Sequence, residues 1–229
     1  SHRQHLVGVI ADRRKQRQKG IVADFDPADA DFDTEFFKIG KGSLGGKARG
    51  LAFVASLLRQ NPEIASNYPG VEILIPQTLV ITTEGFESFV EENQLRDLSK
   101  TDLPDDEVAR RFIDGRFPQW IEEKLRAYLE QVTYPLAIRS SSLLEDAQFR
   151  AYAGLYRTYM ITNDCADLQL RLEHLIHAIK LVYASTYYKG PKAFSKRVGH
   201  RTEEEQMAVI IQKLVGSQCG DSFYPTISG

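Results

Sequence analysis

Cysteine is nearly missing from this chain: Cys165 and Cys219 are the two among 229 residues. They are too few and too far apart for a disulfide framework or a Cys-rich metal site. Long apolar runs are missing too. None approaches the ~20 residues that a membrane-spanning helix needs, and the opening SHRQHLVGVIADRRKQRQKG has no apolar core like that of a secretory signal. A one-sided charge is also lacking. The net charge of -2 gives no global field for nucleic acid or an anionic membrane. These absences leave a reduced, cytoplasmic protein with neither nucleic acid nor membrane as a partner.

What remains is ordinary globular material, 42% hydrophobic and 26% charged, long enough to bury a substantial core. Residues 12–19, DRRKQRQK, form a basic run without interleaved aromatics to stack bases, so a solvated helical connector is the better reading. Residues 24–35, DFDPADADFDTE, resemble a calcium loop in composition only. Counting from Asp24, the sixth position is Asp29, where the sharp turn of a calcium loop needs glycine. Residues 1–35 therefore read as a basic and then acidic connector before a domain at 36–229.

Within that domain, Leu51, Val54, Ala55 and Leu58 repeat at helical spacing over 47–58, up to the break at Asn61 and Pro62. Strands are predicted at 71–75, 79–81, 156–161 and 207–215. Thr82 or Thr83 is placed to cap a helix over 84–93, with Phe86, Phe89 and Val90 as its buried stripe. Further helices are predicted over 107–112 and 118–131, and another, capped by Asp164 or Asp167, runs to about residue 187. Residues 189–201 read as a loop or short helical piece. Strands and helices alternate irregularly, which predicts a mixed α/β or α+β domain and not a regular doubly wound sheet. The chain finishes FYPTISG, a turn-rich segment without an obvious terminal strand, and reads as the cut edge of a longer polypeptide.

Three segments carry chemistry. The first, GKGSLGGKARG at 40–50, satisfies GxGxxG at Gly40, Gly42 and Gly45. The bare pattern is weak, and the acidic residue that a dinucleotide site wants at the end of the second strand is lacking. The Walker pattern fails as well: Lys41 stands where its first glycine belongs, and Ala48 where Ser or Thr should meet magnesium. A glycine loop with Lys47 at a helix mouth remains, suited to an anion through backbone amides and an ammonium. Taken alone, the segment reads rather as a tight turn at Gly45 and Gly46 with a solvated Lys47. The second segment, PLAIRSSSLLEDAQFRAYAGLYRT at 135–158, delivers Arg139 and three serines from the end of an apolar strand. Arginine beside hydroxyls suits a phosphate chain; alternatively it pairs with Glu145 or Asp146 in a polar loop. The third segment is an apolar strand interrupted by Gln212. A glutamine offers donor and acceptor together, as an adenine edge does, but strand parity alone turns it to solvent.

In this order the segments resemble the ATP-binding N-terminal region of the pyruvate phosphate dikinase and phosphoenolpyruvate synthase family, an ATP-grasp relative. The resemblance rests on LGGKA at 44–48, IPQTLVITT at 75–83, IRSSS at 138–142 with Glu145 and Asp146, Ala153 with Gly154, Thr158 with Tyr159, and VIIQKLV at 209–215. It covers residues 36–229. It implies the first portion of an ATP-grasp-like nucleotide-binding domain, with Lys47 and Arg139 on the ATP phosphates. Gly154 and Thr158 would line the cleft, and Gln212 with the Leu214 backbone would meet adenine. Two departures from the family pattern are Arg150-Ala-Tyr before Ala153 and the FYPTISG ending.

The same resemblance implies that magnesium ligands lie in a following half-domain, that a swivelling domain carries a phosphorylated histidine, and that a barrel domain holds pyruvate. His174 and His177, three apart on a helix, read as ordinary helix-face residues; His2, His5 and His200 lie in connectors. No catalytic residue and no metal ligand is therefore assigned within this chain, and the piece alone is expected not to turn over. A related phosphotransferase with another acceptor, and a non-catalytic nucleotide-binding regulatory module, are the competing readings. A dinucleotide oxidoreductase ranks last.

Overall fold

The computed structural model describes residues 22–30, 32, 36–66, 70–71, 73–142, 154–199 and 202–227. The basic run, the pair Glu145 and Asp146, and residues 150–153 lie outside them. Six strands form one mixed sheet: β1 (Ala23–Asp24), β2 (Phe36–Ile39), β3 (Thr78–Ile81), β4 (Leu136–Ser142), β5 (Thr158–Ile161) and β6 (Met207–Lys213), in the spatial order β1-β2-β3-β6-β4-β5. The first three run parallel, and the pairs β3–β6, β6–β4 and β4–β5 are antiparallel. The mixed α/β expectation holds.

Side chains alternate across this sheet and build two unequal cores. On one face Phe37, Ile39, Leu79, Ile81, Ile138, Val209 and Ile211 meet a helical layer of α2 (Thr83–Glu92), α3 (Asp105–Asp114), α4 (Gln119–Gln131) and α5 (Leu168–Ser185). Each of these large buried side chains contributes about 1.5–3 kcal/mol by leaving water. Asp167 caps α5 by accepting from the N–H groups of Gln169 (2.8 Å) and Leu170 (3.3 Å), so the cap is Asp167 and not Asp164. Buried Arg171 of α5 donates to Leu129 O (3.0 Å) and Val132 O (2.9 Å), satisfying carbonyls at the end of α4. Residues 189–201 contribute a helix, α6 (Lys189–Val198).

On the opposite face, among the described residues, a single helix, α1 (Gly45–Gln60), covers Phe36, Val80, Ala208 and Ile210 through Ala48, Leu51 and Ala52. Its buried face is built of glycine and alanine, which lets the helix approach closely. Val54, expected on the buried stripe, is 41% exposed instead, next to the more exposed Phe53.

Four further expectations are corrected. Residues 71 and 73–77 form no strand: they lead into β3, whose pairing with β2 and β6 begins only at Thr78. The turn-rich ending contains a hairpin, β7 (Ser217–Cys219) with β8 (Ser222–Tyr224). The acidic segment is not wholly a connector: Ala23 pairs with Phe37 and Phe25 is buried in the main core. Neither Thr82 nor Thr83 caps α2 with its side chain; both hydroxyls are engaged in the site below.

Candidate functional site

The face that α1 half-covers carries the predicted site residues in rows. Directly opposed residues on neighbouring strands share a face. One row runs Thr78–Gln212–Ala137–Met160 and the next Val80–Ile210–Arg139–Thr158. Ser141, opposite Ala208, follows at the end of β4, beside the loop that leads into α1.

That end is held by hydrogen bonds between loop and strand. Ser141 Oγ donates to Leu44 O (2.8 Å) and accepts from Ala48 N–H (3.1 Å). Gly45 adopts φ +72°, and a Cβ there would lie 1.8 Å from Ser141 O, so only glycine permits this approach. Lys47 leaves the first turn of α1 and places Nζ 3.4 Å from both the hydroxyl and the carbonyl of Ser140. Four of the loop's amides are already engaged within the protein. Gly42 N–H donates to Thr82 Oγ1 (3.2 Å), Ser43 N–H to Thr83 Oγ1 (3.0 Å), Lys41 N–H to Glu84 Oε2 and Gly45 N–H to Ser43 Oγ (3.2 Å). The side chains of Lys47 and Arg139 bring positive charge to this part of the sheet face.

Arg139 is half-buried and donates through NH1 to Gln212 Oε1 at 3.3 Å; among the described residues no carboxylate pairs with it. Its neighbour across the ladder, Thr158, is exposed, and so is Gly154, which takes φ +76° in open space. Gly154 is thus demanded by its backbone conformation and not by crowding. The wall between these residues and β4 is tied by Glu205, a buried carboxylate that accepts from Ser142 Oγ (2.5 Å) and Tyr156 Oη (3.1 Å). No signal in the sequence pointed to Glu205, because nothing near it in the chain needs a carboxylate.

Gln212, turned to solvent by strand parity, is only 8% exposed, since α1 gives that face a partial cover. Two residues on, Leu214 N–H donates to Pro135 O at 2.9 Å. An antiparallel pair of this kind normally returns a second bond, but Pro135 has no N–H to give. The Leu214 carbonyl is thus left out of the ladder and available as an acceptor. A cleft of about 950 Å³ opens at this end, lined by Ile75, Pro76, Gln77, Tyr134, Pro135 and Leu214 among others. Burial holds the Tyr134 phenol above its ordinary pKa, so it stays a neutral donor to Gln77 Oε1.

Lys47, Arg139, Gln212 and Leu214 therefore follow one another along the sheet. From Ser141 to Pro135 the strand advances about 20 Å at ~3.3 Å per residue. Cations lie toward one end and Gln212 with the Leu214 carbonyl toward the other, where Leu214 is the one predicted site residue that lines the cleft. Among the described residues no group of three or more His, Cys, Asp or Glu side chains converges to hold an ion. His174 and His177 are exposed on α5, and both cysteines are free. No helix among the described residues is long and apolar enough to cross a membrane.

The fold and this track of polar residues define a mixed α/β nucleotide-binding domain. The family profile described as "Pyruvate phosphate dikinase, AMP/ATP-binding domain" matches residues 41–229, and the chain belongs to that family. Among similar proteins, an uncharacterized phosphotransferase, YvkC, of Bacillus subtilis is 26% identical over 147 residues, 63% of this chain and 16% of that protein. The phosphoenolpyruvate synthase of Aquifex aeolicus is 27% identical over 180 residues, 70% of this chain and 20% of that protein. That of Pseudomonas aeruginosa is 22% identical over 176 residues, 69% of this chain and 21% of that protein. The chain thus spans about a fifth or less of the length of these curated relatives.

Proposed function

We propose that this chain is the first portion of the ATP-binding domain of a phosphoenolpyruvate synthase-like dikinase. The partial domain occupies 36–229, with β1 adding a strand at its edge, Phe25 and Phe32 packing into its core, and the rest of 1–35 acting as connector. The whole protein would convert ATP and pyruvate to phosphoenolpyruvate and AMP through a phosphohistidine on another domain. In this reading Lys47 and Arg139 hold the phosphates, Gly154 and Thr158 line the cleft, and Gln212 with the Leu214 carbonyl meets adenine. Phosphoryl transfer depends on positioning and on neutralising charge, and those are what two cations on a rigid strand and helix supply. Magnesium would be held by residues elsewhere, and no step is assigned to it here.

The observation that carries the proposal is the linear order of Lys47, Arg139, Gln212 and the freed Leu214 carbonyl on one sheet face. The experiment is calorimetric titration of the 229-residue chain with ATP. Arg139→Ala and Lys47→Ala are each expected to weaken binding at least about tenfold, the loss of a charge-assisted contact. Unchanged affinity in both would overturn the phosphate roles. A second reading, with an acceptor other than pyruvate, is favoured by the relative whose name specifies only a phosphotransferase.

A further inference from the structure

The side chain of Gln212 sits in a chain of hydrogen bonds whose polarity is dictated from both ends. Thr78 Oγ1 donates its one proton to Pro76 O at 2.7 Å. Its oxygen can then only accept, and it does so from Gln212 Nε2 at 3.1 Å. On the other side Arg139 is a donor without an acceptor, and it reaches Gln212 Oε1 at 3.3 Å. Reversing the amide would set Nε2 against a guanidinium and Oε1 against a hydroxyl with no proton left to give. Thr78 is fully buried and Gln212 nearly so, where an unmade hydrogen bond is costly. Gln212 is therefore locked in one orientation, with one N–H and one lone pair remaining for a ligand.

An amide locked in this way distinguishes purines. Adenine presents an exocyclic amino donor beside a ring-nitrogen acceptor, and one amide orientation matches that pair. A 6-oxopurine presents a carbonyl beside a ring N–H, the same pair inverted, which the reversed amide would match. For a base held in one pose by its phosphates, a glutamine free to rotate would accept either; a locked one accepts one.

We infer that Thr78 is a specificity-determining residue, fixing the Gln212 amide so that the site selects adenine over 6-oxopurine nucleotides. The inference rests on the proposed reading of Gln212 as facing the base. Thr78 acts through Gln212 and need not touch the nucleotide.

The test is titration of the 229-residue chain with ATP and with inosine triphosphate, which carries the oxo and N–H pair without guanine's amino group. Thermal unfolding of each variant is measured alongside. Wild type is expected to favour ATP by at least about tenfold, one well-made hydrogen-bond pair against a mismatched one. Thr78→Val, of matching shape but without the acceptor, is expected to lower that ratio about tenfold. Thr78→Ser, which restores the hydroxyl, is expected to keep it. If Thr78→Val does not fold, Thr78→Ala carries the same expectation. A ratio unchanged in the valine or alanine variant, or lost equally in the serine variant, overturns the inference. Wild type that binds ATP and inosine triphosphate alike also overturns it, yet leaves the ATP cleft standing. Wild type that binds neither overturns both.

Discussion

Gly45 joins two of the segments that carry the site, the glycine loop and the three-serine strand. Its φ of +72° and the 1.8 Å that would separate a Cβ from Ser141 O make it intolerant of any side chain. Gly45→Ala is expected to cost at least about 3 kcal/mol, since a backbone strain and a main-chain clash add. Urea unfolding of the two proteins would measure it, and a loss under about 1 kcal/mol would show that the loop can move away from β4 cheaply. Gly154, also at positive φ (+76°) but with nothing near its absent Cβ, carries the conformational penalty alone. The two glycines look equivalent as letters and differ in what a substitution meets.

Among the elements, the start of α2 clasps the glycine loop. Thr83 accepts from Ser43 N–H (3.0 Å) and donates its own N–H to Ser43 O (2.9 Å), while Thr82 accepts from Gly42 N–H (3.2 Å). Thr83→Val removes one of these acceptors, worth about 1 kcal/mol. The expected result is amide exchange at Ser43 faster by about fivefold, read by hydrogen-exchange NMR, with α5 amides unchanged. The helices were legible in the sequence because their rhythm is local. Leu172, Leu175, Ile179 and Val182 face the core of α5, and Asp167 caps it from within its own turn. What was not legible depends on neighbours far along the chain. Val71, Ile73 and Leu74 have the composition of a strand and stay exposed because the ladder of β3 with β2 and β6 begins only at Thr78. Thr82 and Thr83 sit where caps belong, and the loop forty residues earlier claims their hydroxyls. Gln212 reads as solvent-facing only while the second sheet face is taken to be wet. The terminal hairpin lacks an apolar alternation, and its one signal was Gly220 beside Asp221 at the turn. As for the site, its residue types and their order were readable, but the Thr78–Gln212–Arg139 chain joins three strands and appears only when they pair.

For the whole molecule, the main core is rich in tyrosine, and this governs its response to alkali. Burial raises the phenol pKa of Tyr128 and Tyr183 well above the ordinary value and pushes Tyr188 up to about 12. A group whose pKa is raised by folding stabilises the fold fully below its unfolded value, near 10, and loses that contribution as pH climbs through the folded one. Lys180 and Lys192, lowered by burial, act in the opposite sense but are only partly enclosed. Stability is therefore expected to hold up to about pH 10 and to fall between about pH 10 and 12. Tyrosinate absorbance and circular dichroism should change together in one transition; ionisation of these phenols without unfolding would contradict the packing described.

The half-cover that α1 provides has a consequence for chemical reactivity. The chain has two methionines at opposite extremes: Met207 is fully buried, and Met160, at the open end of the Thr78–Gln212–Ala137 row, is 69% exposed. A mild peroxide treatment converts accessible thioether to sulfoxide and spares enclosed ones. The protein thus carries one oxidisable sulfur on the face assigned to the nucleotide, together with an internal control. A mass shift of one oxygen on the peptide that carries Met160, apart from those of the free Cys165 and Cys219, becomes when followed over time a gauge of how open that face is to water.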